Sequence, residues 1–119
     1  MDDGLIYAKA FRFSQDTGRL YENIVAIELK KREINREINL YYWKNNLNEE
    51  VDFVLKKSAK VKQLIQVCYN ITDYKIRKRE IRALLKASKE LKCRDLVIIT
   101  EDKEGKEKID GKTIKYIPL

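Results

Sequence analysis

The chain has 119 residues, 44% of them hydrophobic and 38% charged, which suits one domain with a modest core and a densely charged surface. It has no histidine, which excludes Ser-His and Cys-His catalysis and His-ligated metals, and its two cysteines are too few for a disulfide framework. Any metal would be held by carboxylate and carbonyl oxygens, the chemistry of Mg²⁺ or Mn²⁺.

No apolar run approaches the ~20 residues that cross a bilayer. The start, Met1-Asp2-Asp3-Gly4, lacks the basic and apolar stretches of a signal peptide, so a cytoplasmic location is expected. No GxxxxGK[ST] loop occurs, so no ATP site is expected in this chain. Richness in Lys, Glu and Ile, with one proline and four glycines, is a thermophile-like composition.

The net charge of +7 is unevenly placed: residues 1–60 hold 11 basic and 10 acidic groups, residues 61–119 hold 15 and 9. Asp73–Arg94 alone contains nine basic and three acidic groups, so the surplus belongs to one segment.

In chain order, residues 4–18 read as an irregular lead-in ending in a turn at Asp16-Thr17-Gly18. From Arg19 to Arg32 the period is helical. Leu20, Ile24, Ile27 and Lys31 lie on one side and Val25, Ala26 and Leu29 on another, which predicts burial over much of the circumference. Ile38–Lys44 is β-branched and aromatic and reads as a strand. Asn45–Asn48 is a turn, and Glu50–Lys56 alternates as the returning strand. After a turn at Lys57–Lys60, Val61–Tyr69 makes a third strand.

Asp73 is placed to cap a helix running to about Lys92, with Ile81, Leu84, Leu85, Ser88 and Leu91 inward. Leu96–Thr100 is a short apolar run, predicting a strand buried on both faces and parallel to the one before the helix. Asp102–Gly105 reads as a turn and Thr113–Ile117 as a last strand. The expected order is α-β-β-β-α-β-β over residues 19–119, an α/β domain with one mixed sheet.

Two carboxylates stand out. Asp52 interrupts the apolar alternation of EVDFVL, and Glu22 shares the inner angular position of Val25, Ala26 and Leu29. Their inward placement is costly unless they share a cation or hydrogen-bond donors; pairing with nearby basic groups is the bland alternative. The period of two places Leu64, Gln66 and Cys68 on one strand face. It also sets Asp52 and Val54 opposite to Val51, Phe53 and Leu55.

A helix Glu, a hairpin Asp, and an E-x-K strand followed by a helix is the layout of the PD-(D/E)XK nuclease superfamily. The words GRLYEN, YYWKNNLNEEVDFVL and QVCYNITDYKIRKREIRALLKA are similar to something narrower. They resemble the C-terminal restriction-endonuclease-like domain of archaeal AAA-type P-loop ATPases. The resemblance implies a restriction-endonuclease-like core with motif positions Glu22, Asp52, Gln66 and Cys68, the last two departing from Glu and Lys. It implies Mg²⁺ or Mn²⁺ held by Glu22, Asp52 and the Gln66 carbonyl, if held at all. Lys62, on the same strand face as Gln66, or Lys75, at the start of the next helix, is the candidate substitute for the absent lysine. The resemblance also implies an ATPase domain as parent or partner, a lead-in (1–18) belonging to a longer domain, and apolar surface suited to a homodimer.

On the second helix Lys75, Lys78, Arg79, Arg82, Lys86 and Lys89 fall within about 100° of arc. A stripe of one sign forgoes i,i+4 pairs and suits a polyanion, so nucleic acid or an acidic protein surface is the expected partner and a solvated Lys-rich face the alternative. Three functions remain open: a nucleic-acid-binding accessory module with a degenerate site, a Mg²⁺-dependent endonuclease with a migrated lysine, and a structural oligomerisation domain.

Overall fold

The computed structural model describes residues 4–8 and 17–119. The elements are β1 (Leu5–Ala8), α1 (Thr17–Ile34), β2 (Asn39–Lys44), β3 (Glu50–Lys57), β4 (Lys60–Val67), α2 (Tyr74–Leu91), β5 (Leu96–Thr100), β6 (Gly105–Ile109) and β7 (Lys112–Pro118). The strands form one mixed sheet in the order β1-β2-β3-β4-β5-β7-β6. β2 to β4 make an antiparallel meander with β1 antiparallel on the outside of β2, α2 carries the chain over to β5 parallel to β4, and β7 enters parallel to β5 with β6 antiparallel outside it.

The helices cover opposite faces. Val25, Ala26 and Leu29 of α1 pack on Leu40, Phe53, Leu55, Ile65 and Val97. Ile81, Ala83, Leu84 and Ala87 of α2 pack on Trp43, Val51, Val54, Leu64, Ile98, Ile114 and Tyr116. Asp73 caps α2, its carboxylate accepting from the backbone of Lys75 and Ile76, and Lys92 closes it in the left-handed conformation. Gln66, Ser88 and Thr100 are the polar groups buried among these layers that the strand and helix cores enclose most completely.

Four expectations are corrected. The order begins with a strand: Leu5–Ala8, expected within an irregular lead-in, pairs with Tyr41–Lys44 as an edge strand. Gly4, just before it, lies so close to the Trp43 indole that a Cβ would come within 2.2 Å of its ring atoms. β6 is a second addition, missed because Lys-Glu-Lys-Ile carries a weak strand signal; Gly105 begins this strand instead of ending a turn. The expected turn at Asp16-Thr17-Gly18 gives way to α1, which already includes Thr17 and Gly18, while Asp16 lies outside the described residues. Finally, α1 buries one side only: Ile24 and Ile27 are 40% and 39% exposed.

Candidate functional site

Strict alternation fails on β3, and that failure shapes the site. Tyr41 pairs with Val54 but Trp43 with Val51, so β3 holds an extra residue between the two pairs. Val51 therefore joins Val54 on the α2 face while Phe53 and Leu55 face α1, and Asp52 sits at the bulge. Leu64 on β4 and Cys68 just past its end face α2, and Ile65 and Val67 face α1, as the period predicts.

Asp52 and Gln66 hold each other's strands. The Asp52 N–H donates to Gln66 Oε1 (2.9 Å), and Asp52 Oδ2 accepts from the Val67 N–H (2.8 Å). Gln66 Nε2 donates to the backbone carbonyls of Glu50 (2.7 Å) and Glu80 (3.3 Å). The side chain of Gln66, 0% exposed, thus ties β4 to β3 and to α2. Two strand residues on, Cys68 is buried, and loss of solvent together with the charges of Glu80 and Asp52 pushes its thiol up to about 11. It is a neutral SH group near neutral pH.

Beside this clasp lies a cleft of about 250 Å³ lined by Asn48, Glu49, Glu50, Asp52, Arg79, Glu80 and Ala83. The buried Asn45 builds its rim: Oδ1 accepts from the N–H groups of Leu47 and Glu49, and Nδ2 donates to the Glu49 carboxylate. Glu49 also receives Lys86 Nζ at 2.6 Å. Glu80 lies 3.6 Å from Arg79, yet burial, helped by the charges of Glu50 and Glu22, holds its carboxyl above the ordinary range. That influence places Glu22, half-buried on α1, within electrostatic reach of the same end of the sheet. Nearby, Tyr21 and Tyr69 meet edge to face at 4.7 Å.

Glu80 is a site residue that sequence reasoning misses, since it reads there as a minor relief of the basic stripe. The helical wheel contains the signal: Glu80 falls only about 40° from Leu84, on the inward side. Lys62 and Lys75 do not join the cleft lining. Lys75 is exposed in the first turn of α2. At Lys62 a register shift between Leu55 and Lys56 turns Val61, rather than Lys62, toward the α2-side core, so the face Lys62 was expected to share with Gln66 is not formed.

The stripe residues Lys75, Lys78, Arg79, Arg82, Lys86 and Lys89 are all exposed on α2. Arg79 and Lys86 meet Glu80 and Glu49 at the edge of the cleft, so the stripe is less purely cationic than its spacing suggests. No group of three or more Cys, Asp and Glu side chains that could hold a metal ion occurs among the described residues.

A family model described as a domain of unknown function (DUF4143) matches residues 17–119. The chain belongs to that family. An uncharacterised protein of Methanocaldococcus jannaschii, MJ1544, is 44% identical to this DUF4143 domain over 99 residues, which are 82% of this chain and 22% of the relative. The chain therefore spans about a fifth of that relative's length. No solved structure matches it. No helix of the DUF4143 domain is, among the described residues, long and apolar enough to cross a membrane.

Proposed function

We propose that this chain is a nuclease-fold accessory module that binds nucleic acid through its phosphate backbone and does not cut it. The observation that carries the second half is the occupation of Gln66. Its carbonyl oxygen already accepts from Asp52, and both described acceptors of its amide are backbone carbonyls. Turning that oxygen to a cation would break a buried bond and leave donors unpaired. Beside it, where the resemblance asks for a lysine, stands a buried neutral thiol. These positions do not fit a divalent cation.

Backbone binding is supported by six exposed cations on one face of α2, with no signature of base readout. The restriction-endonuclease-like assignment is supported by the helix-hairpin-strand-helix-strand succession from α1 to β5, with α1 and α2 on opposite faces. Placement beside an ATPase domain is supported by the occurrence of the DUF4143 family in AAA-ATPase-associated proteins and by the greater length of the archaeal relative. Titration of a short DNA duplex at increasing salt tests the reading. Replacing Arg79, Arg82 and Lys86 together by Ala is expected to reduce the slope of log K against log salt by about one unit for each phosphate no longer neutralised. An unchanged slope would return the stripe to a role in solubility.

A further inference from the structure

The parallel strands β4, β5 and β7 give the molecule an upper end, where they finish beside the cleft, and a lower end, where they begin. We infer that the lower end is a second phosphate-contacting surface, which takes the backbone of a nucleic acid; this rests on the nucleic-acid reading above but not on the α2 stripe. Four connections meet there; the one from α1 to β2 holds the Arg32–Glu37 ion pair, and the other three carry the cations in question. The β3–β4 turn brings Lys57 directly opposite Lys60, a like-charged cross-strand pair that lowers sheet stability, and Lys62 follows on β4. Arg94 precedes Leu96 by two residues and Lys112 precedes Ile114 by two, and Leu96 and Ile114 are register partners, so Arg94 and Lys112 arrive side by side. Lys108 stands one strand further, opposite Thr113.

Several other cations are matched. Lys30, Arg32, Lys44, Arg77, Arg79 and Lys86 each have a carboxylate within 4 Å. Among the described residues none of the six lower-end cations does, and all but the half-exposed Lys112 are exposed. Of the two carboxylates in these connections, Asp95 is taken up by Gln63 and Lys115, leaving Asp110 against six positive charges. From β3 to β6 is four strand spacings, about 19 Å, or five to six base pairs at ~3.4 Å each. None of the exposed large apolar side chains lies on these three connections, which favours a phosphate backbone over a lipid surface that apolar groups would enter.

The test titrates the full 119-residue chain, and a K57Q/K60Q/K108Q/K112Q variant, with a short DNA duplex between about 50 and 200 mM salt. The variant is expected to lose roughly three to four units of salt slope and at least about tenfold in low-salt affinity. The matching Lys→Arg variant is expected to retain both, which separates charge from folding. An unchanged slope in the Gln variant, with the effect confined to the α2 triple variant, overturns this inference and leaves the nucleic-acid reading standing. Absence of duplex binding by the unaltered chain overturns both. Binding to anionic vesicles that the Gln variant abolishes while duplex affinity stays unchanged reassigns the surface to membranes and overturns the inference.

Discussion

Gln66 has no solvent to turn to, so its two donors and its acceptor must all be satisfied inside the protein. A glutamate there keeps an acceptor for Asp52 but meets the Glu50 and Glu80 carbonyls with lone pairs instead of N–H groups, and it brings a charge close to Asp52 and Glu80. Gln66→Glu is therefore expected to lower stability by about 3–5 kcal/mol, read from the urea midpoint. Adding Cys68→Lys is expected to recover part of that loss by giving the new carboxylate a cation. A Gln66→Glu chain as stable as the original would show that the clasp contributes little. That Asp52 and Gln66 meet on neighbouring strands was legible from the hairpin spacing. What Gln66 does was not legible, because its partners are backbone carbonyls of β3 and α2 that no side-chain pattern encodes.

At the scale of elements, α2 was legible almost to its ends, since Asp73 supplies a cap and the apolar period is long. β6 was not. It is an edge strand of which only Ile109 packs on the core, the rest serving water and one ion pair, so its sequence carries no apolar alternation. That pair joins it to the helix: Arg77 donates to both oxygens of Glu107 (2.7 and 2.5 Å), and Tyr116 Oη donates to the same carboxylate at 2.7 Å. The Arg77 hydrogen bond, followed by that of Tyr116, holds the Glu107 carboxyl below its ordinary value. A carboxyl lowered in the folded state contributes stability that is complete above the unfolded value, near 4.5, and is lost as pH falls through the folded value. The unaltered chain should thus lose stability below about pH 4.5, and Glu107→Gln should flatten that part of the curve in thermal melts. Identical acid limbs in the two proteins would mean that Glu107 does not couple β6 to α2. Both side chains are about one-third exposed, so solvent screening keeps the effect modest.

Over the whole molecule the sheet separates charge along its strands. Glu49, Glu50, Asp52 and Glu80 gather at the upper cleft, while unmatched lysines and arginine gather at the lower connections. The uneven charge along the chain foretold a basic surface and located it on α2. The lower surface was hidden, because its members come from three connections distant in sequence and meet only when β4, β5 and β7 align. A polyanion approaching such a molecule is drawn to the basic flanks and repelled from the acidic cleft, which suits binding without cutting. The most direct measurement is incubation of the unaltered chain with duplex DNA in Mg²⁺ or Mn²⁺, with binding and strand cleavage followed together. Salt-sensitive binding with the DNA left intact is the predicted result. Robust metal-dependent cleavage that disappears in Asp52→Ala would contradict it, because the cleft would then hold a working metal site in spite of Gln66 and Cys68.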